Sequence, residues 1–506
     1  MLQDVSSHSP QRGPDSQTGA TSANEFSNIV GPSLVSRSAS SSRELPDFGT
    51  PHHNGTASSP LIHRPKRLFG AMLESLVVST RTARGEGNAQ AEPVLSPKKV
   101  ELSQVPYSAE DAQWVRNALK LTTKFLVDEQ VAKGKTWGPT DDLPMVALTG
   151  EIGLLLAASG VPPQQVAAAM LYSPLQYADL EKATKLLEVV ERKFGRSLTD
   201  QLVQTYDILE RPDRIHEGNA HLACAILLGE ISCGHVSAVD PRIRDLATQF
   251  RRLGVNELLL DQLDVDLGLP LTDRAEPYSG VVSLNPKEVI DLRNAVRYAG
   301  RLFKDADRKW GPNERLPLMA HATEVALILA MAGQSNDLVV AGLLHDALEG
   351  YSPEQQEQIA ADLKEILNEN TVRLIQAVTE PQKAAGGKRE HDPLRDFYSR
   401  KMSILKQVEE GDREVATLSC STKISTIGAG LKHLWITKGA VGLAGWSSGT
   451  LSENLAFFKL HEMQYRIKGV PPQLLEQFHD ALGFMVQYLP QELNSAGGEH
   501  PSTFIQ

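Results

Sequence analysis

Three residues of this chain have the types and spacing that metal chemistry uses: His321, and the dipeptide His345-Asp346 further along. Two imidazoles and a carboxylate suit a borderline divalent cation such as manganese, iron or zinc. Glu349 follows Asp346 by one helical turn on a neighbouring face, placed to activate the attacking water of a hydrolysis. The same two histidines would also serve as partly buried, hydrogen-bonded core residues. His216, His221 and His235 show no ligand spacing and read as ordinary polar residues. His391-Asp392 repeats the dipeptide, but it follows Gly386-Gly387 and precedes Pro393, a loop setting that would orient no ligand pair. Cys224, Cys233 and Cys420 form no CxxC pair, which argues against a disulfide scaffold or a zinc ribbon and for a reducing compartment.

Helices must position these side chains. From about residue 105 onward, QWVRNALKLTTKFL, LTGEIGLLLAASG, LEKATKLLEVVERKFG and AHLACAILLGEIS space their apolar residues at three and four. No convincing strand pattern appears, so an all-α architecture is expected. His321 opens one helix and His345-Asp346 lies on the next, with the turn Gly333-Gln-Ser-Asn-Asp337 between them, so antiparallel packing would bring the three together.

The chain also resembles itself. VRNALKLTTKFL at 115–126 matches LRNAVRYAGRLF at 292–303, and WGPTDDLPM at 137–145 matches WGPNERLPL at 310–318. GEIGLLLAASGVPPQQVAAAMLYSPL then matches TEVALILAMAGQSNDLVVAGLLHDAL without a gap. Two units imply a tandem pair of helical domains, with a linker near 267–286. Trp137 and Trp310 recur at equivalent positions, which favours packing over substrate stacking.

Composition excludes several classes. The net charge of −11, from 51 Lys and Arg against 62 Asp and Glu, argues against a DNA- or RNA-binding protein. With 41% hydrophobic and 22% charged residues the chain is ordinarily globular, and its apolar runs are too short to span a bilayer. Residues 1 to about 100 are rich in Ser, Pro, Gly and Thr and are expected to form a disordered leader. That leader lacks a basic region followed by an apolar stretch, and Asp4, Asp15 and Glu25 fit an organelle transit peptide poorly, so a cytoplasmic location is expected. Its Ser-rich composition also resembles the N-termini of type III secreted bacterial effectors, which gives delivery into a host cell as the alternative.

HATEVALILAMAGQSNDLVVAGLLHDALEG, residues 321–350, resembles the HD-domain phosphohydrolases, most closely the hydrolase domain of RelA/SpoT homologues. Arg308-Lys309 with Pro317 and His321 resembles that family's RK-P-H segment, and LIQAVTEP at 374–381 its next helix. YSRKMSILKQV at 398–408 and GWSSGTLSENLAFFKLHEMQYRI at 445–467 resemble its closing helices. The resemblance implies an all-helical domain that holds one divalent cation through His321, His345, Asp346 and a distant acid, and that hydrolyses the 3′-pyrophosphate of guanosine tetra- or pentaphosphate. It places Arg308 and Lys309 against the substrate.

This chain departs from that pattern at named positions. Ser421-Thr422-Lys423-Ile424-Ser425-Thr426 stands where relatives read Ala-Asp-Lys-Leu-His-Asn, so Thr422 occupies the fourth-ligand position. A neutral hydroxyl is a poorer ligand than a carboxylate, and a weakly held metal, manganese first, or none, is expected. The family's Glu-Asp pair becomes Glu349-Gly350. In the first unit Leu148 replaces His321, and Tyr172-Ser173 replace His345-Asp346. The expected organisation is a leader at 1–100, a degenerate HD-like domain at 105–266, an HD-like domain at 285–490 and a flexible tail at 491–506. Two functions are compatible with it: a metal-dependent nucleotide phosphohydrolase, or a pseudoenzyme that binds a nucleotide or a protein partner.

Overall fold

The computed structural model describes residues 102–127, 136–137, 143–270 except 234 and 239, 276–309, 315–380 except 350, 393–431 and 451–495. The expected leader, most of the expected tail, Trp310 and His391-Asp392 lie outside the described residues, as does the side chain of Trp137.

The first half holds α1 (Ala109–Val127), β1 (Thr136–Trp137), β2 (Leu143–Pro144), α2 (Met145–Ala158), α3 (Pro163–Tyr177), α4 (Leu180–Phe194), α5 (Arg196–Thr205), α6 (Ala220–Ser232), α7 (Pro241–Arg252) and α8 (Glu257–Asp266). The second holds α9 (Pro286–Leu302), β3 (Asp307–Lys309), β4 (Arg315–Pro317), α10 (Leu318–Met331), α11 (Asn336–Leu344), α12 (Pro353–Ile366), α13 (Glu369–Val378), α14 (Pro393–Glu410), α15 (Arg413–Ser425), α16 (Leu451–Ile467) and α17 (Pro472–Ser495). The all-α expectation holds, with one correction. β1 pairs antiparallel with β2, and β3 with β4 through Arg308 opposite Leu316. Strands of two or three residues are too short for an alternating pattern to show in sequence. Among the described residues no helix is long and apolar enough to cross a membrane.

α2 and α10 lie at the centre and pack against each other. Both are apolar nearly all round, the signature of a helix with no solvent face, and every residue of α2 is buried. Gly150 makes the close approach possible, because a Cβ there would fall 2.8 Å from Thr323 Oγ1. The buried side chains of both halves form one continuous core from Tyr107 to Leu482.

Residues that correspond between the halves make reciprocal contacts. Arg116 of α1 pairs with Glu324 of α10 at 2.7 Å, and Arg293 of α9 pairs with Glu151 of α2 at 2.6 Å. The backbone N–H of Tyr107, before α1, donates to Met331 O at the end of α10, and that of Val282, before α9, donates to Ala158 O at the end of α2. Each half therefore reaches across to the central helix of the other.

Candidate metal centre

Pro317 sets the start of α10 in an extended conformation and Leu318 begins the helix, so His321 falls in its first turn. Because α10 is enclosed on every side, His321 and Glu324 are buried with it. After α10 the chain turns at Gly333, with φ of 66°, and returns as α11, which His345 closes in a right-handed helical conformation. Gly342 allows the two helices to close, since a Cβ at that position would meet Leu329 Cδ1 at 2.6 Å. One helix start and one helix end thus meet on the same side of the core.

There the structure brings His321, His345 and Asp346 together. Their donor atoms all lie within 4.8 Å of one another. His321 Nε2 stands 3.2 Å from His345 Nε2, which stands 3.1 Å from Asp346 Oδ1. The other ring nitrogens are committed elsewhere. His345 Nδ1 lies 2.8 Å from Gly342 O, an acceptor only, so it must carry the proton and donate. His321 Nδ1 lies 2.9 Å from Ser425 Oγ, whose own proton goes to Glu324 Oε2 at 2.8 Å, so this Nδ1 also donates. In the neutral form of each ring, the Nε2 lone pairs then face each other and Asp346. Two opposed lone pairs beside a carboxylate are a mutually repulsive set that a divalent cation would satisfy, and the donor chemistry fits such an ion.

The cavity in front of these three residues is lined also by Glu349, Thr422 and Thr426. Thr422 donates its hydroxyl proton to Ser419 O at 2.8 Å, leaving lone pairs on a neutral oxygen. Thr426 donates in turn to Thr422 O. Arg308 and Lys309 lie on β3, and their side chains are outside the described residues, as is Gly350. His221 accepts from the backbone N–H of Asn256 and His216 from that of Gly218, so both serve local packing, in keeping with their sequence reading.

Sequence reasoning missed several contributors. Glu380, at the end of the LIQAVTEP motif, lines the same cavity, as does Lys423. An acid just past a helix that the resemblance already marked was the available signal for Glu380. Glu324 and Ser425, behind His321, gave no such signal. Burial pushes the Glu324 carboxyl upward, but Lys120, Arg116 and the Ser425 hydroxyl outweigh it and hold the group below the usual carboxylate range.

Among the described residues, the corresponding place in the first half has no ligand set. Tyr172 donates to Glu230 Oε1 at 3.2 Å, and burial, then the charge of Glu230, pushes its phenol well up. Among the described residues no group of three or more His, Cys, Asp and Glu side chains converges around Tyr172 and Ser173.

Comparison with known proteins points the same way. Over 161 residues, 32% of its length, the chain is 27% identical to the guanosine-3′,5′-bis(diphosphate) 3′-pyrophosphohydrolase of Aquifex aeolicus (strain VF5), and the match spans 20% of that protein. The chain thus covers about a fifth of the curated relative it matches. Residues 295–407, which include His321, His345, Asp346, Glu349 and Glu380, match the family model described as HD domain.

Proposed function

We propose that the second half is a divalent-metal-dependent phosphohydrolase acting on a nucleotide, with a guanosine bearing a 3′-pyrophosphate as the first candidate substrate. The observation that carries this reading is the pair of Nδ1-protonated imidazoles whose Nε2 atoms meet beside Asp346. His321, His345 and Asp346 would hold the ion, manganese being the first candidate. Such a cation supplies positive charge that polarises a phosphoryl oxygen and makes water easier to deprotonate.

The chain's own residues do the rest. Glu349 takes a proton from the attacking water onto its carboxylate as the water oxygen bonds to phosphorus. The bond from phosphorus to the ribose 3′ oxygen breaks, releasing pyrophosphate, and that oxygen takes up a proton to become a hydroxyl. Lys423 places a cation in the cavity wall for phosphate, and Arg308 and Lys309 would extend that charge along β3. Glu380, in the same cavity wall and 3.9 Å from Arg400, would add negative charge near the ion without taking the place of Thr422. The first half acts as a helical frame.

The neutral Thr422 oxygen favours a second reading, a pseudoenzyme that binds a nucleotide or a protein without turnover. One experiment separates the two. The purified chain is incubated with manganese and guanosine tetraphosphate, other nucleotides and simple phosphate esters, with bound metal measured in parallel. Metal-dependent release of pyrophosphate supports the hydrolase; tight nucleotide binding without release supports the pseudoenzyme. A cytoplasmic location, with delivery into a host cell as the alternative, is compatible with either.

A further inference from the structure

We propose that Arg116, from the half that has no ligands, is a positioning residue for the metal centre of the other half, acting through Glu324 and Ser425 to set the orientation and tautomer of His321. The inference rests on reading His321, His345 and Asp346 as a cation site. It adds a role for the first half beyond filling space.

The chain of contacts is continuous. Arg116 Nε donates to Glu324 Oε1 at 2.7 Å, Glu324 Oε2 accepts from Ser425 Oγ at 2.8 Å, and Ser425 Oγ lies 2.9 Å from His321 Nδ1. Every member is buried. With its proton directed to Glu324, the serine oxygen can only accept from the ring, so Nδ1 is protonated, and in the neutral ring the Nε2 lone pair is left for a cation. Arg116 fixes the other end of this relay as well. Its Nη2 donates to Ile424 O at 3.3 Å, next to Ser425 and at the C-terminal end of α15, where a cation is favoured. One guanidinium therefore holds both the carboxylate on α10 and the helix end that carries the serine.

The corresponding arginine shows what this arrangement looks like without a site behind it. Arg293 pairs with Glu151 at 2.6 Å but also makes a two-pronged contact with Asp266, at 2.9 and 3.0 Å. Its Nη2 donates to Ser232 Oγ, so that serine is tied to the arginine itself. Leu148 stands where a histidine would be. Both arginines are buried and both join the halves, but only the Arg116 relay ends on an imidazole.

This difference supplies the test, on the full-length protein. Manganese affinity is measured by calorimetry for the unaltered chain and for Arg116→Met, Arg116→Lys, Ser425→Ala and Arg293→Met. In parallel, the His321 ring is followed by nitrogen NMR without metal, its signals identified by their loss in His321→Gln. The expected result is a manganese affinity lowered by about 10- to 100-fold in Arg116→Met and Ser425→Ala. Arg116→Lys should recover part of the loss, and the metal-free His321 ring should become a mixture of tautomers in Arg116→Met. Arg293→Met should lower the melting temperature while leaving affinity and tautomer as they were. Equal loss of affinity in Arg116→Met and Arg293→Met, or an unchanged His321 tautomer in Arg116→Met, would overturn the proposal. If the unaltered chain takes up no manganese, the metal reading fails separately, and the metal-free tautomer still decides the role of Arg116.

Discussion

His321 and His345 present their Nε2 atoms to each other at 3.2 Å, with each ring's Nδ1 already donating to a different oxygen. Neither ring can turn to relieve the contact without breaking a buried hydrogen bond, which costs about 1–3 kcal/mol for the group left unpaired. Such a pair would take up a cation without rearranging. His345→Ala and Asp346→Ala should each abolish detectable manganese binding while leaving the helical circular-dichroism signal intact. Retained stoichiometric metal in Asp346→Ala would rule out the ligand assignment.

The acids around the cavity separate by role. Glu349→Gln should keep manganese affinity within about twofold and lower any turnover by about 100-fold or more, as expected for loss of a general base. Glu380→Gln should weaken manganese about tenfold, because the cavity wall then loses a carboxylate whose negative charge would favour a bound cation. Calorimetry and a pyrophosphate-release assay on the two variants check both statements. A Glu380→Gln protein with unaltered metal affinity would remove Glu380 from the site.

Thr422→Asp offers a gain rather than a loss. A carboxylate in place of the buried hydroxyl should tighten manganese by about tenfold. The same charge without a cation is poorly solvated, so the variant should melt lower than the unaltered protein in chelator and gain more on adding metal. Melting curves with and without manganese test this. A variant that gains no more from manganese than the unaltered chain does would show that Thr422 does not face the ion.

Arg293 is a structural counterpart. Removing its charge leaves Glu151 with only the longer contact to Arg297, at 3.7 Å, and Asp266 without its two-pronged partner, so Arg293→Met should cost about 3 kcal/mol in urea denaturation. A cost below about 1 kcal/mol would mean that water reaches this interface.

Acid stability should depend on His461. Burial first, then Lys423, lowers the pKa of this α16 histidine to about 3, and its Nδ1 donates to Phe457 O. The unfolded chain takes up this proton near pH 6.5 and the folded chain does not, so this contribution is fully present above that pH and is lost as pH falls toward 3. The loss amounts to about 1.4 kcal/mol per pH unit within that window. His461→Phe should flatten the stability profile between pH 6 and 4, measured by denaturation at each pH, and an unchanged slope would refute the assignment.

Sequence by itself determined the helical class and pointed to the internal correspondence and the candidate ligands, because each is carried by neighbours along the chain. Apolar spacing at three and four is set within one helix, and His345 and Asp346 are adjacent residues. The neutral Thr422 and the bare Leu148 position were equally legible, since a substitution shows wherever two stretches align. Tertiary structure alone decided the contacts behind the ligands. Arg116 and Glu324 are 208 residues apart, and Glu324 and Ser425 are 101 apart. In sequence Arg116 is one basic residue on an amphipathic helix, a pattern shared by solvent-facing arginines. Whether such a side chain meets water or a buried carboxylate depends on which helices pack across it. That packing is fixed by close approaches such as Gly150 against Thr323, and these exist only once the two halves are folded together.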